Sequence, residues 1–220
     1  MAIPATRSRP RSEQPFAPVR PRLPAQPFWG YPALKRGLDI VLSLIGLALS
    51  LPLLVLCGGL IRLESPGPVL YKQVRVGRNG RPFIIYKLRS MTLGAERQGL
   101  QWAEKDDPRT TRVGRWLRRT KLDELPQFYN IIRGEMSLIG PRPERPGLIA
   151  RFSRDVPDFG ERLRVKPGLT GWAQVHGGYL LSPGEKLELD LYYIRYQSLE
   201  LDLRILWKTV GVLISGRGSW

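Results

Sequence analysis

Between residues 118 and 127 the chain reads Arg118-Arg119-Thr120-Lys121-Leu122-Asp123-Glu124-Leu125-Pro126-Gln127, two adjacent carboxylates beside three cations. Such surroundings favour ionised carboxylates, and guanidinium forks near a helix N-terminus collect phosphate. Two neighbouring acids allow a division of labour. One carboxylate attacks a phosphorus centre to form an acyl phosphate, while the other helps hold a divalent cation that neutralises a diphosphate. Mg2+ suits this, since it typically takes one or two carboxylates plus phosphate oxygens. The competing reading is that Asp123 and Glu124 only cap a helix and pair with the arginines. Thr120 followed by Asp123 predicts a capping-box-like start with both acids in a first helical turn, whereas Pro126 marks a later start or a kink.

A second cluster runs from Gly134 to Glu144 and ends in Gly140-Pro141-Arg142-Pro143-Glu144. Prolines on both sides of Arg142 limit the freedom lost when its guanidinium is aimed at an anion; a rigid surface loop is the alternative. The stretch from Arg164 to Val175 offers cations, glycine turns and Trp172, and either lines a nucleotide pocket or forms a packed loop. One cysteine, Cys57, excludes an intrachain disulfide and a cysteine-based zinc site. One histidine, His176, leaves little for imidazole chemistry, so acid–base or nucleophilic work falls to carboxylates, Lys or Ser.

These residues need elements to position them. Residues 69–89 predict a β-hairpin whose turn is Gly77-Arg78-Asn79-Gly80, with Asn-Gly the strong signal; a phosphate loop is the weaker reading of the same glycines. Helices are predicted at 108–119, 121–133 and 184–198, with Pro141, Pro143, Pro146, Pro157, Pro167 and Pro183 breaking the intervening chain. The last thirty residues mix Tyr192, Tyr193, Tyr196 and Trp207 with aliphatic and basic residues, the composition of a helix lying in a membrane interface, or of a core-packed terminal helix.

Residues 38–61 hold 17 aliphatic or Cys positions out of 24, with Asp39 the one charge. A helix of that length measures roughly 36 Å against a hydrocarbon core of about 30 Å. Lys35 and Arg36 precede the segment, and Arg62, Lys72, Arg75 and Arg78 follow it. Both flanks therefore favour the cytoplasmic side. Pro52 sits near the centre, where it removes a backbone hydrogen bond, and Ser50 can satisfy part of the freed backbone. Charge and proline together favour a re-entrant segment over a single pass; a buried helix of a soluble protein is the remaining alternative.

Residues 1–37 carry seven basic side chains against Glu13, with eight prolines, and read as a disordered basic tail. The apolar run starts too late for a cleaved signal peptide. Across all 220 residues, 35 Lys+Arg against 19 Asp+Glu give a net charge of +16, of which +11 falls after residue 61. Such a field attracts phosphates, whether of nucleic acid, nucleotide or anionic lipid. No nucleic-acid recognition motif accompanies it, so a membrane-attached nucleic-acid binder is the weaker hypothesis and no nucleic-acid partner is expected.

The stretches KRGLDIVLSLIGLALSLPLLVL, SPGPVLYKQVRVGRNGRPFIIYKLRSM, DPRTTRVGRWLRRTKLDELPQFYNIIRGEMSLIGPRPE, RVKPGLTGWAQV and LDLYYIRYQSLELDLRILWKTV together resemble the bacterial sugar transferase family of monotopic phosphoglycosyl transferases. The resemblance covers nearly everything after residue 34. It implies a membrane enzyme that moves a sugar 1-phosphate from a UDP-sugar to undecaprenyl (polyprenyl) phosphate, releasing UMP and starting a surface or glycoprotein glycan. It implies that Asp123 is the nucleophile of a covalent phosphosugar intermediate, that Glu124 is the metal-binding acid with Mg2+, and that Arg118 binds phosphate. Arg142 falls in the active-site surround, and Lys87 matches a basic residue of the Tyr-Lys-x-Arg stretch. The family's hydrophobic segment is a re-entrant helix broken at Ser-Pro; here Pro52 carries over and the serine is displaced to Ser50. His176 stands where many members have asparagine and is assigned no role. Larger relatives add transmembrane helices and another domain before this core, so the chain reads as the minimal catalytic form.

The expected fold is α/β, mixed and helix-rich, with a small β-hairpin, an N-terminal re-entrant membrane helix and interfacial amphipathic helices. Its expected parts are a tail at 1–33, a membrane helix at 34–62 and a cytoplasmic catalytic domain at 63–220, at the bacterial inner membrane. A homo-oligomer or downstream glycosyltransferases are further partners to consider, and a catalytically silent scaffold of a glycan-assembly complex is the functional alternative. The transferred sugar is not legible, because discrimination among hexoses turns on one or two hydroxyls or an acetamido group.

Overall fold

The computed structural model describes residues 30–95 and 107–215, so most of the expected basic tail lies outside the described residues. Helix α1 (Tyr31–Glu64) comes first, starting with Pro32 in its first turn, where a missing N–H is harmless. Its 34 residues make it about 51 Å long. The buried residues are Tyr31, Asp39, Ser43, Ser50, Cys57, Gly58 and Ile61, spaced at helical intervals, with Asp39, Ser43 and Ser50 polar among them. Outward stand Leu38, Val41, Ile45, Leu49, Val55, Leu56 and Leu63. So many exposed aliphatic side chains on one helix are not what the outward face of a soluble amphipathic helix presents. Among the described residues α1 is the one helix long and apolar enough to cross a membrane. Pro52 lies inside α1 without dividing it into two elements. The Ser50 hydroxyl donates to the Leu47 carbonyl at 3.1 Å, one residue before the carbonyl that Pro52 leaves without its amide partner.

The predicted hairpin is present: β1 (Leu70–Val76) pairs antiparallel with β2 (Pro82–Leu88), from Leu70 opposite Leu88 to Val76 opposite Pro82. Asn79 and Gly80 both take positive φ, 57° and 76°, which is what an Asn-Gly turn supplies at low steric cost. Phe83 and Ile85 of β2 pack on Ile131 and Met136. Buried Asn130 fastens the hairpin edge, accepting from Tyr86 N–H at 3.1 Å and donating to the Ile84 carbonyl at 2.7 Å.

Helix α2 (Arg112–Thr120) starts later than predicted, capped by Thr111, whose hydroxyl accepts from Gly114 N–H at 2.9 Å. At Gly114 the helix touches the chain leaving β2, where a Cβ would collide with the Ser90 carbonyl. The capping-box reading at Thr120 is corrected. Thr120 closes α2, its hydroxyl donating back to the Trp116 carbonyl at 2.8 Å, and Lys121 ends the helix at φ 59°. Leu122–Glu124 then form one 3-10 turn, and Pro126 stands just before α3 (Gln127–Arg133). A helix running unbroken from 121 would set the Pro126 ring against the carbonyl four residues back, so the chain turns first and the acids occupy the turn.

A second, parallel pair joins β3 (Ser137–Ile139) to β4 (Gly168–Thr170), which the sequence pattern does not announce. Between them lie α4 (Pro146–Asp155) and a 3-10 segment, Phe159–Arg164. After β4 come α5 (Trp172–His176) and α6 (Pro183–Tyr196), the latter started by a capping box between Ser182 and Glu185. Helix α7 (Leu199–Ser215) buries Leu201 and Ile205 in the core and exposes Leu203, Trp207, Val210 and Ile214. The result is helix-rich and mixed, with two small two-stranded sheets.

Candidate active site

Asp123 and Glu124 sit in the turn between α2 and α3, both buried, at 6% and 8% exposure. Glu124 is clamped from two directions. Lys87, near the end of β2, reaches its Oε1 at 2.8 Å, and Arg142 reaches the same atom at 2.6 Å and Oε2 at 3.3 Å. Burial pushes the Glu124 carboxyl up, but Arg142 and Lys87 overcome this and hold it well below the ordinary range. Asp123 is different. Burial pushes its carboxyl above the ordinary range; Lys87 opposes that shift and the Glu124 charge adds to it. Its Oδ1 is buried with no hydrogen-bond partner. One neighbour is thus a fixed anion, and the other is a desolvated carboxyl with an oxygen uncommitted to any donor.

The turn opens on a cavity of about 460 Å³ with two characters. Arg75, Lys121, Arg142, Arg145, Arg162 and Lys186 give it a cationic lining, with Glu124 and Glu144 as the acids. Leu125, Phe128, Leu138, Leu206, Val212 and Leu213 give it an apolar one. The cations come from β1, the turn, the Gly140–Arg145 loop, the 3-10 segment and α6, so only the folded chain collects them. Arg162 anchors the arrangement from behind: it is 2% exposed, pairs with Asp190 Oδ2 at 2.7 Å, and donates to the Arg142 carbonyl at 3.1 Å.

Of the residues singled out from sequence, Lys87, Asp123, Glu124 and Arg142 are brought together; Glu124 and Arg142 line the cavity, whereas Asp123 and Lys87 do not. Arg118 is not drawn into the cavity: it lies in the last turn of α2 with its guanidinium on the Thr110 hydroxyl at 3.1 Å, although its charge still acts on Asp123. From the Arg164–Val175 stretch, Leu169, Thr170, Ala173, Gln174 and Val175 line the cavity. Trp172 does not; it stacks on Tyr192 at 5.5 Å and lies against His176 at 4.0 Å. Sequence reasoning assigned no site role to Arg75, Arg162, Lys186 and Asp190. Lys186 and Asp190 stand four apart on α6 and read as an ordinary surface pair, and only Arg75 carried a signal, a charge on the inward-facing alternation of β1.

The fit of a divalent cation can be judged from the donor set. Among the described residues no group of three His, Cys, Asp or Glu side chains converges, so no all-protein cage is formed. The ionised Glu124, which lines the cavity, fits Mg2+ of the kind that takes one carboxylate and draws its remaining ligands from phosphate oxygens and water.

A family model described as bacterial sugar transferase matches residues 30–216. The UDP-N-acetylgalactosamine-undecaprenyl-phosphate N-acetylgalactosaminephosphotransferase of Aeromonas hydrophila is 46% identical over 192 residues, 86% of this chain and 45% of that protein. The UDP-glucose:undecaprenyl-phosphate glucose-1-phosphate transferase of Caulobacter vibrioides is 44% identical over 188 residues, 82% of this chain and 70% of that protein. The exopolysaccharide production protein PSS of Rhizobium leguminosarum bv. phaseoli is 41% identical over 197 residues, 84% of this chain and 98% of that protein. The chain therefore spans less than half of the Aeromonas protein and nearly all of the Rhizobium one.

Proposed function

The chain belongs to the bacterial sugar transferase family, and on that premise we propose that it transfers a sugar 1-phosphate from a UDP-sugar to a polyprenyl phosphate, with Asp123 as the covalent nucleophile. The observation that carries this reading is the contrast within the dyad, a fixed anionic Glu124 beside a desolvated Asp123 whose Oδ1 has no hydrogen bond to surrender. A carboxylate in that state is a better nucleophile than one solvated by water or donors.

In this mechanism the donor's diphosphate enters the cationic side of the cavity. An Asp123 oxygen forms a bond to the sugar-bearing phosphorus. The bond from that phosphorus to the bridging oxygen breaks, its electron pair leaves with UMP, and the phosphosugar remains on Asp123. A phosphate oxygen of the acceptor then attacks the same phosphorus, and the Asp123 carboxylate departs. No proton transfer is needed in either step. Lys87 holds Glu124 in place and opposes the upward shift of Asp123, while Arg142 fixes Glu124 from the opposite side. Glu124 would hold Mg2+, which when bound would supply charge neutralisation at the diphosphate.

The apolar lining from α7 suits a lipid-borne acceptor, and α1 keeps the site at the bilayer. We infer a re-entrant α1 because one domain holds both of its ends. At the start, Tyr31 and Lys35 each bond Asp202 of α7 at 2.8 Å; at the end, Glu64 accepts from Arg112 and Val113 N–H, at 2.7 and 3.1 Å. The catalytic side is then the cytoplasmic face of the inner membrane, in keeping with the basic flanks.

The test is UMP release from a panel of UDP-sugars by detergent-solubilised protein, with and without undecaprenyl phosphate and Mg2+. Sustained release from one donor that needs the lipid, and is lost by at least about a thousandfold in Asp123→Asn, is the expected result. Near-full turnover by Asp123→Asn would remove Asp123 from the chemistry.

A further inference from the structure

The walls of the cavity divide by charge. Every charged residue that lines it comes from β1, the turn after α2, the Gly140–Arg145 loop, the 3-10 segment or α6, whereas β4, α5 and α7 contribute only uncharged side chains. Three of these are polar, Thr170, Gln174 and Thr209, and they gather at one corner. The Thr170 and Thr209 hydroxyls lie 2.7 Å apart, and Gln174 Nε2 donates to the carbonyl of Leu169, the neighbour of Thr170, at 3.1 Å. The bonds fix the sense of both hydroxyls. Thr209 gives its one proton to the Ile205 carbonyl at 2.8 Å, so between the two threonines Thr170 donates and Thr209 accepts. The pair therefore offers the cavity lone pairs and no proton. Beside it, Gln174 Oε1 is buried with no hydrogen-bond partner among the described residues. Gly171 makes room for that oxygen, since a Cβ there would come within 2.4 Å of it. An unpaired acceptor kept from water is costly, and an O–H or N–H of a ligand removes the cost.

We propose that this corner seats the sugar of the donor and reads a proton-bearing substituent on its ring, a hydroxyl or an acetamido N–H. The assignment rests on the transferase reading above and names the residues that choose its substrate. A UDP-sugar carries its charge on the diphosphate, which belongs with the cations, and its neutral sugar hangs on the phosphorus that Asp123 attacks. The corner is tied to that place. Gly140 N–H donates to the Thr170 carbonyl at 2.9 Å, and two residues further on Arg142 holds Glu124 at 2.6 Å. Leu169, Ala173 and Leu206, on the same wall, give apolar contact to the C–H face of a ring. A site built to bond a substrate proton rejects an analogue lacking it far more strongly than an apolar pocket does.

The test uses the full chain in detergent and three probes: the UDP-sugar of the panel that binds tightest, its monodeoxyfluoro analogues, and UDP. Fluorine in place of hydroxyl nearly keeps the size and removes the proton. Affinities are measured by calorimetry on an Asp123→Asn background, so that no transfer accompanies binding, with and without Thr170→Val, Thr170→Ser or Thr209→Val. The expected result is a loss of about fivefold or more for the UDP-sugar in each Val variant, recovery in Thr170→Ser, and UDP affinity unchanged throughout. One fluoro analogue binds more weakly than the parent sugar by a similar factor, and Thr170→Val adds little to that loss, because both changes remove the same bond. The assignment is overturned if neither Val variant weakens the UDP-sugar, if UDP weakens as much as the UDP-sugar, which would place the nucleoside at the corner, or if the fluoro and Val losses add at every ring position. Wild type that turns over no UDP-sugar, with the threonine-dependent affinity intact, would remove the transferase reading and keep the sugar seat.

Discussion

Asp123 and Glu124 are chemically near-equivalent and adjacent in the chain, yet the fold gives them opposite electrostatics. Two cations close on Glu124, whereas burial dominates at Asp123 and nothing bonds its Oδ1. Arg118 shows the same lesson in reverse, since it lies five residues before Asp123 but the geometry of α2 directs it to Thr110. Thr110 is itself held by a turn in which its N–H donates to the Asp107 carbonyl at 2.9 Å, and Arg109 bonds the Asp107 carboxylate through its Nε at 2.8 Å. Hydrogen bonding from Arg109 brings the Asp107 carboxyl down to about 2. A carboxyl lowered on folding stabilises the folded state above its unfolded range, near about 3.9, and that contribution disappears as pH falls toward the folded value. Asp107→Asn should therefore cost about 1 kcal/mol near neutral pH, discounted for solvent near this turn, with the gap to wild type closing below about pH 4. Thermal unfolding across a pH series measures this, and a gap that widened on acidification would contradict the assignment.

At the scale of elements, α1 decides the architecture. Polar side chains near its start bond the domain: Asp39 accepts from the Ser137 hydroxyl at 3.0 Å and from Leu138 N–H at 2.9 Å, and half-buried Arg36 donates to the Ile131 and Ile132 carbonyls at the end of α3. Gly46 lies against the Phe128 ring, and Cys57 and Ile61 pack on Leu88 and Leu117. The proposed re-entrant course follows from contacts at both ends and at points between, since carrying the two ends to opposite sides would draw the domain in after them. An impermeant maleimide added to intact cells should thus label neither Gly30→Cys nor Leu70→Cys, and should label both after lysis. Labelling of Gly30→Cys alone from outside would establish a crossing helix. Native Cys57, fully buried, leaves the background low. Much at this scale was legible in the sequence: the apolar run and its flanking charges, the Asn79-Gly80 hairpin, the helix near 184–198. The helix start at Thr120 was misread because its hydroxyl serves the end of the preceding helix as readily as the start of the next. The β3 and β4 strands, three residues each, are too short for alternation to declare them.

The described residues place a cavity with a cationic and an apolar side in a domain bound to one long apolar helix. The net charge of +16 pointed to phosphate without saying where; the fold concentrates part of it about one cavity. The dyad and Arg142 could be read from local motifs, because each is a cluster along the chain. The grouping of Arg75, Arg162 and Lys186 about Glu144 could not, since these residues come from four separated segments and meet only through tertiary packing. The two-sided cavity, the unbonded Asp123 oxygen and the long apolar helix are the observations on which the proposed covalent transfer from a soluble donor to a lipid acceptor rests. The most direct measurement is peptide mass analysis of the full chain quenched after incubation with a competent UDP-sugar and no polyprenyl phosphate. The expected result is a sugar-phosphate adduct on Asp123 that disappears when the lipid is added and never forms in Asp123→Asn. Full lipid-dependent UMP release with no adduct at any quench time would contradict it and make the transfer a direct displacement.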